Sequence, residues 1–211
     1  SRCCYMITHG VKNKIRVKMT ESIVKIKGNI VHDFKVGDNV VYNSKILRSL
    51  VDANHNGQFN KLIVMQSCSI LEACLYETIM RIQNYNIEGY PGLSKEEGIE
   101  IKSKKVKDKF AIIIDVLKKY NILDNSQLDV YDNLHTIRRL RNKIHIQSKN
   151  LNIDGLKGER DEVNIFTDYW TNFSISLCEK VICYLSETKF RQEGRLDNCI
   201  EDFYLPRATE I

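Results

Sequence analysis

The residues best equipped for chemistry lie in one run, Ile137-Arg138-Arg139-Leu140-Arg141-Asn142-Lys143-Ile144-His145. Side chains three, four and seven apart share one face of a helix. On that spacing Arg138, Arg141 and His145 line one stripe, with Leu134 and Asn142 near its edge. Ile137, Leu140 and Ile144 form another stripe, suited to a core, and Arg139 turns well away from His145. Guanidinium groups present planar, permanently charged forks to phosphate oxygens. An imidazole that titrates near neutrality passes protons as base or acid. Together these groups fit metal-free scission of RNA. There the 2′-hydroxyl loses a proton, the 5′-oxygen gains one, and the phosphorane between them carries added negative charge. One histidine supplies one of the two proton transfers. A second copy of the run across a two-fold axis would supply the other, so the chemistry implies a dimer. The plain alternative is a solvated basic helix that happens to carry one histidine.

Such a run acts only where a frame holds it. Upstream, Lys14 to Met19 and Ser22 to Lys27 alternate polar and apolar residues, Lys27-Gly28-Asn29 signals a turn, and Ile30 to Phe34 follows. This predicts two or three short strands, a hairpin or small meander. From Gly37 the period becomes helical and continues to about Ala53, where Asn54-His55-Asn56-Gly57 ends it with residues suited to left-handed backbone. Asn60 to Tyr85 is the most apolar stretch and predicts a central helix interrupted by Glu72 and Glu77. Ser94-Lys95-Glu96-Glu97 reads as a capping box. A helix is expected from Ser103 to Asn121, another from an Asn125-Ser126 cap through the motif, and a long one from Glu159 to Phe190. The fold class is therefore all-α, a bundle of four to five helices with a small N-terminal β-hairpin or meander. Residues 1–36 form the arm and hairpin, 37–192 the bundle and 193–211 a polar tail.

Composition bounds the function. The formal charge of +5 is a mild basic bias, compatible with a polyanionic partner. Lys102 to Lys109 packs five lysines into eight residues, and of these Lys104, Lys105 and Lys107, with Lys143 in the motif, are the candidate RNA-binding cations. Seven cysteines without a C-x-x-C pair read as reduced, buried thiols of a cytoplasmic protein. No Cys/His pair has zinc-finger spacing, so neither metal nor cofactor is expected. No uninterrupted apolar run reaches the ~18 residues of a membrane span, and no signal-peptide pattern heads the chain. A start at Ser1 fits a piece of something longer. Walker, dinucleotide-binding and nucleophile-elbow motifs are absent, and the acidic residues do not cluster as a two-metal nuclease needs.

The segment Arg138–His145 resembles the HEPN superfamily, the higher eukaryotes and prokaryotes nucleotide-binding domain. Members carry an Arg, four to six residues and a His, the Arg often followed by Asn, Asp or His. Six residues separate Arg138 from His145, five separate Arg139 from it, and Arg141-Asn142 supplies the Arg-Asn element three residues before it. Gln66 to Ala73 looks like the family's earlier helix, in which an acidic residue braces the motif arginine, a role that falls to Glu72. The resemblance spans about Val40 to Leu185. It implies a bundle of four or five helices that acts as a dimer, through the motif helix or the last long helix, and cleaves RNA without metal as a toxin or phage-defence effector. The catalytic group would be Arg138, Arg141, Asn142 and His145, with Glu72 and Arg139 supporting. A protein antitoxin would be among its partners. A second reading is a non-catalytic module of the same fold that binds RNA, nucleotide or protein. A third is a structural or dimerisation domain.

Overall fold

A computed structural model describes residues 23–31, 33–85, 93–103, 109–123, 129–143, 151, 153–187 and 201–208. Among them lie strand β1 (Ile23–Ile26) and helices α1 (Phe34–Asp52), α2 (Asn60–Tyr85), α3 (Lys95–Ser103), α4 (Phe110–Lys119) and α5 (Val130–Asn142). A single turn, α6 (Glu162–Ile165), then α7 (Asp168–Ser186) and strand β2 (Phe203–Pro206) follow. The architecture is an all-α bundle with a small two-stranded antiparallel sheet, as the periodicities predict.

α2 is the axis of the bundle. Ile63, Val64, Cys68, Leu71, Leu75, Ile79 and Ile82 are buried along it, and α1, α3, α4, α5 and α7 all pack against it. By length and composition its segment Asn60–Asn84 could cross a membrane, although Glu72 and Glu77 interrupt any purely apolar run. The bundle buries 61% of that apolar window, the environment of a core helix.

The sheet joins the two ends of the chain. β1 was expected to pair within an N-terminal hairpin, but its partner is the tail: Ile23 lies opposite Pro206 and Ile26 opposite Phe203. The tail docks because Phe203 and Leu205 enter the core beside Ile26. Asp202 secures the junction, accepting from Gly28 N–H at 3.2 Å and pairing with Lys25 at 2.9 Å. The turn expected at Lys27-Gly28-Asn29 is a short 3-10 turn, Gly28–Ile30, but the strand expected over Ile30–Phe34 is not one: Ile30 ends that turn, Asp33 caps α1 and Phe34 begins it. α1 begins at Phe34 because the Asp33 carboxylate accepts the Val36 N–H at 3.0 Å. The boundary expected at residue 36 therefore falls inside a helix. The alternating segment Lys14–Met19 lies outside the described residues.

Two local signals read as expected. Ser94 and Glu97 form the reciprocal box, with Ser94 N–H to Glu97 Oε2 at 2.8 Å and Glu97 N–H to Ser94 Oγ at 3.1 Å. Asn56 and Gly57 take left-handed backbone, φ 62° and 75°. The long C-terminal helix, however, is broken. Phe166 leaves the helical region and Thr167 is extended. Asn60, buried at the start of α2, binds the freed Phe166 carbonyl at 3.0 Å and Asp168 Oδ1 at 2.9 Å, while accepting from Asn54 Nδ2 at 2.8 Å. Val163, which a continuous helix would carry on the core stripe, is 79% exposed as a result.

Gly57 closes against this network. A Cβ there would stand 2.9 Å from Asn60 Nδ2, on a backbone that L side chains rarely adopt. Gly57→Ala is expected to destabilise the fold by about 1–3 kcal/mol, combining left-handed strain with displacement of a bonded amide. Urea unfolding checks it; an unchanged midpoint would show the corner to be soft.

Candidate functional site

α5 is held by a narrow apolar edge. Val130, Tyr131, Leu134, Ile137 and Leu140 are buried, each three or four residues from the next. The Tyr131 hydroxyl fixes the start of the helix to the α4–α5 connection, accepting from Leu123 N–H at 2.9 Å and lying 2.8 Å from the Leu123 carbonyl. Arg139 and Asn142 are exposed, and His135, Arg138 and Arg141 are half-buried along the margins of that edge.

The half-buried arginines belong to different neighbours. Arg141 Nη2 stands 2.7 Å from Glu72 Oε2 of α2, with side chains 33% and 18% exposed. A charge-assisted contact of that length at a partly screened site contributes about 1–2 kcal/mol and fixes the guanidinium. Arg138 sits on the α4 side, within the electrostatic reach of Asp115, and its Nε is buried without a hydrogen-bond partner. Burial, reinforced by Arg139, holds the Arg138 guanidinium below its ordinary value. It nevertheless stays charged at any neutral pH.

A histidine and a carboxylate complete this margin, and sequence reasoning missed both. His135 Nε2 lies 3.3 Å from Asp115 Oδ1, and its Nδ1 is buried with no partner. Burial lowers the imidazole pKa from its usual 6.5, and Arg138 and Arg139 lower it further against the opposing pull of Asp115. The three- and four-residue steps from His135 to Arg138 and Arg139 were a readable signal. The pairing with Asp115, on another helix, had none.

The structure thus joins Glu72 to Arg141, sets Arg138 on the α4 side of the same helix as Arg141, and turns Arg139 outward. Asn142 ends α5 and is exposed. Lys143, expected to meet RNA, is only 3% exposed, and its charge acts on Glu159. A side chain so enclosed does not meet a polyanion at the surface, so Lys143 leaves the binding set. His145, Lys104, Lys105 and Lys107 lie outside the described residues.

The thiol beside the site is inert. Cys68 Sγ donates to the Ile137 carbonyl at 3.4 Å, and burial raises its pKa far more than Arg141 lowers it. Cys74 is likewise pushed up to about 12 by burial. Among the described residues no three His, Cys, Asp or Glu side chains gather as a metal site would require. What the arrangement offers is one guanidinium fixed by an ion pair, at Arg141, and a second, half-buried one three residues earlier at Arg138, each suited to the oxygens of a phosphodiester.

No protein-family model, no curated protein and no solved structure matches the chain.

Proposed function

We propose that the chain is a metal-independent endoribonuclease of the HEPN type, acting in the cytoplasm as a toxin or phage-defence effector. The observation that carries this reading is the Arg141–Glu72 pair, which fixes one motif guanidinium at 2.7 Å on the helix that also carries the half-buried Arg138 three residues earlier. Fixed cations aimed at developing charge are usually the largest part of such catalysis. Arg138 and Arg141 hold the scissile phosphate, Asn142 contributes at the helix end, and His145 passes the proton. The second proton-transfer group comes from another copy of the chain, docked through α5 or α7. Lys104, Lys105 and Lys107 draw in the RNA backbone, and a protein antitoxin would cover the same face.

The test is RNA cleavage in a chelating buffer by wild type and by His145→Ala. Loss of the proton-transfer group is expected to lower the rate by roughly 10²–10⁴-fold. The 5′ fragments should end in 2′,3′-cyclic phosphate. Equal cleavage by both proteins, or ends without the cyclic phosphate, would sink the proposed chemistry.

A second reading is a non-catalytic module that binds RNA, nucleotide or protein. The commitment of Arg141 to Glu72 favours it, since a guanidinium already paired has fewer donors left for a phosphate. Salt-sensitive RNA binding by a protein that leaves the RNA intact would select this reading.

A further inference from the structure

His135 and Asp115 are not accounted for by the motif, yet they adjoin one of its arginines. The carboxylate of Asp115 only accepts, so the imidazole nitrogen facing it must carry the hydrogen: the neutral ring is the Nε2–H tautomer. That leaves a lone pair on Nδ1, which is buried and has no donor. One helical turn on, the Nε–H of Arg138 is buried and has no acceptor. An obligate donor and an available acceptor thus sit unsatisfied on neighbouring side chains of one face, each desolvated without the bond that would compensate it.

From this complementarity we infer that His135 is the positioning residue for Arg138, its Nδ1 accepting the Arg138 Nε–H while Asp115 holds the ring. The bond is open in this structure. It closes when a phosphate oxygen draws the outer guanidinium nitrogens into line, as hydrogen bonds at active sites tighten on binding. The inference rests on the ribonuclease reading for its consequence in catalysis, though not for the bond itself. Each arginine then has its own support on a separate helix: Glu72 of α2 for Arg141, and Asp115 of α4, through His135, for Arg138.

Protonation breaks the arrangement. A hydrogen on Nδ1 sets donor against donor beside a permanent cation. Among the described residues the charged groups facing His135 are Asp115 from α4 and Arg138 and Arg139 from its own helix, whereas α2 turns Glu72 to Arg141. Because the ring's pKa is lowered, the neutral form persists below pH 6.5, and the support fails only as pH falls through that lower value. The same sign holds for stability. The contribution is complete above the unfolded value near 6.5 and is lost on acidification through the folded one.

Two measurements on the full chain test this. Long-range proton–nitrogen correlation spectra, with His135 assigned by its loss in His135→Asn, should show the Nε2–H tautomer at pH 7. Arg138→Gln should raise the ring's pKa. In RNA cleavage, His135→Ala should lower kcat about tenfold with KM little changed. His135→Asn, whose Oδ1 replaces the Nδ1 acceptor, should recover most of that loss. An Nδ1–H tautomer, or equal kcat for all three proteins, overturns the inference and leaves the ribonuclease reading standing. A wild type that shows the Nε2–H tautomer but cleaves no RNA overturns the ribonuclease reading and, with it, the catalytic role given to the pair.

Discussion

Arg141→Ala is expected to lower RNA cleavage by about 10²–10³-fold, the loss seen when one preorganised donor to a developing oxyanion is removed. The helix should survive. Arg141 is half-exposed, and the apolar edge of α5 runs through Leu134, Ile137 and Leu140 instead. The stability penalty should stay near 1 kcal/mol, discounted for the partial exposure of both partners. Arg141→Lys is a sharper comparison. It keeps the charge but loses the planar fork, so it should bind RNA almost normally and cleave poorly. Arg139→Ala, on the exposed side, should change cleavage by no more than about twofold, since surface charges are well screened. A double-mutant cycle with Glu72→Gln then separates positioning from charge. If Arg141→Ala cleaves like wild type, Arg141 is a structural ion-pair partner and the motif loses its best-placed residue.

The contrast between Arg141 and Arg139 follows from sequence spacing alone, because helical periodicity is local. The same locality made the central helix, the Ser94–Glu97 box and the left-handed Asn56-Gly57 corner readable: each depends on residues within four positions of one another. What could not be read depends on distant partners. β1 finds β2 across nearly the whole chain, through an edge that only the docking of Phe203 and Leu205 brings near. The break at Phe166 reflects Asn60, more than a hundred residues earlier, capturing a carbonyl that the helix would otherwise have used. Lys143 looks like one more surface cation, yet the packing at the end of α5 encloses it. His135 carries a local signal in its spacing to Arg138, but its orientation is set by Asp115 on a helix that sequence cannot place beside it.

The site also depends on the edge beneath it, and Leu134→Ala is expected to cost about 2–5 kcal/mol. Leu134 is fully buried, four residues before Arg138 and seven before Arg141, so it occupies the core-facing side of the stripe the arginines share. α5 is otherwise polar, and its N-cap Asp129 makes no side-chain capping bond. Its position in the bundle is therefore owed to a few buried side chains, and removing one leaves a cavity between α5 and its neighbours. For a chain of 211 residues the melting temperature should fall by roughly 5–15 °C. Leu134→Met, which conserves volume, should cost less than about 1.5 kcal/mol. Well below the melting transition, Leu134→Ala should still bind RNA but cleave it more slowly, because a shift of about 1 Å in the helix moves both guanidinium groups at once. A loss smaller than about 1 kcal/mol would mean that α5 is held chiefly by its polar contacts to α2 and α4, Glu72 with Arg141 and Asp115 with His135. The order of dependence would then be reversed, with the ion pairs supporting the fold and leaving less of Arg141 for a phosphate.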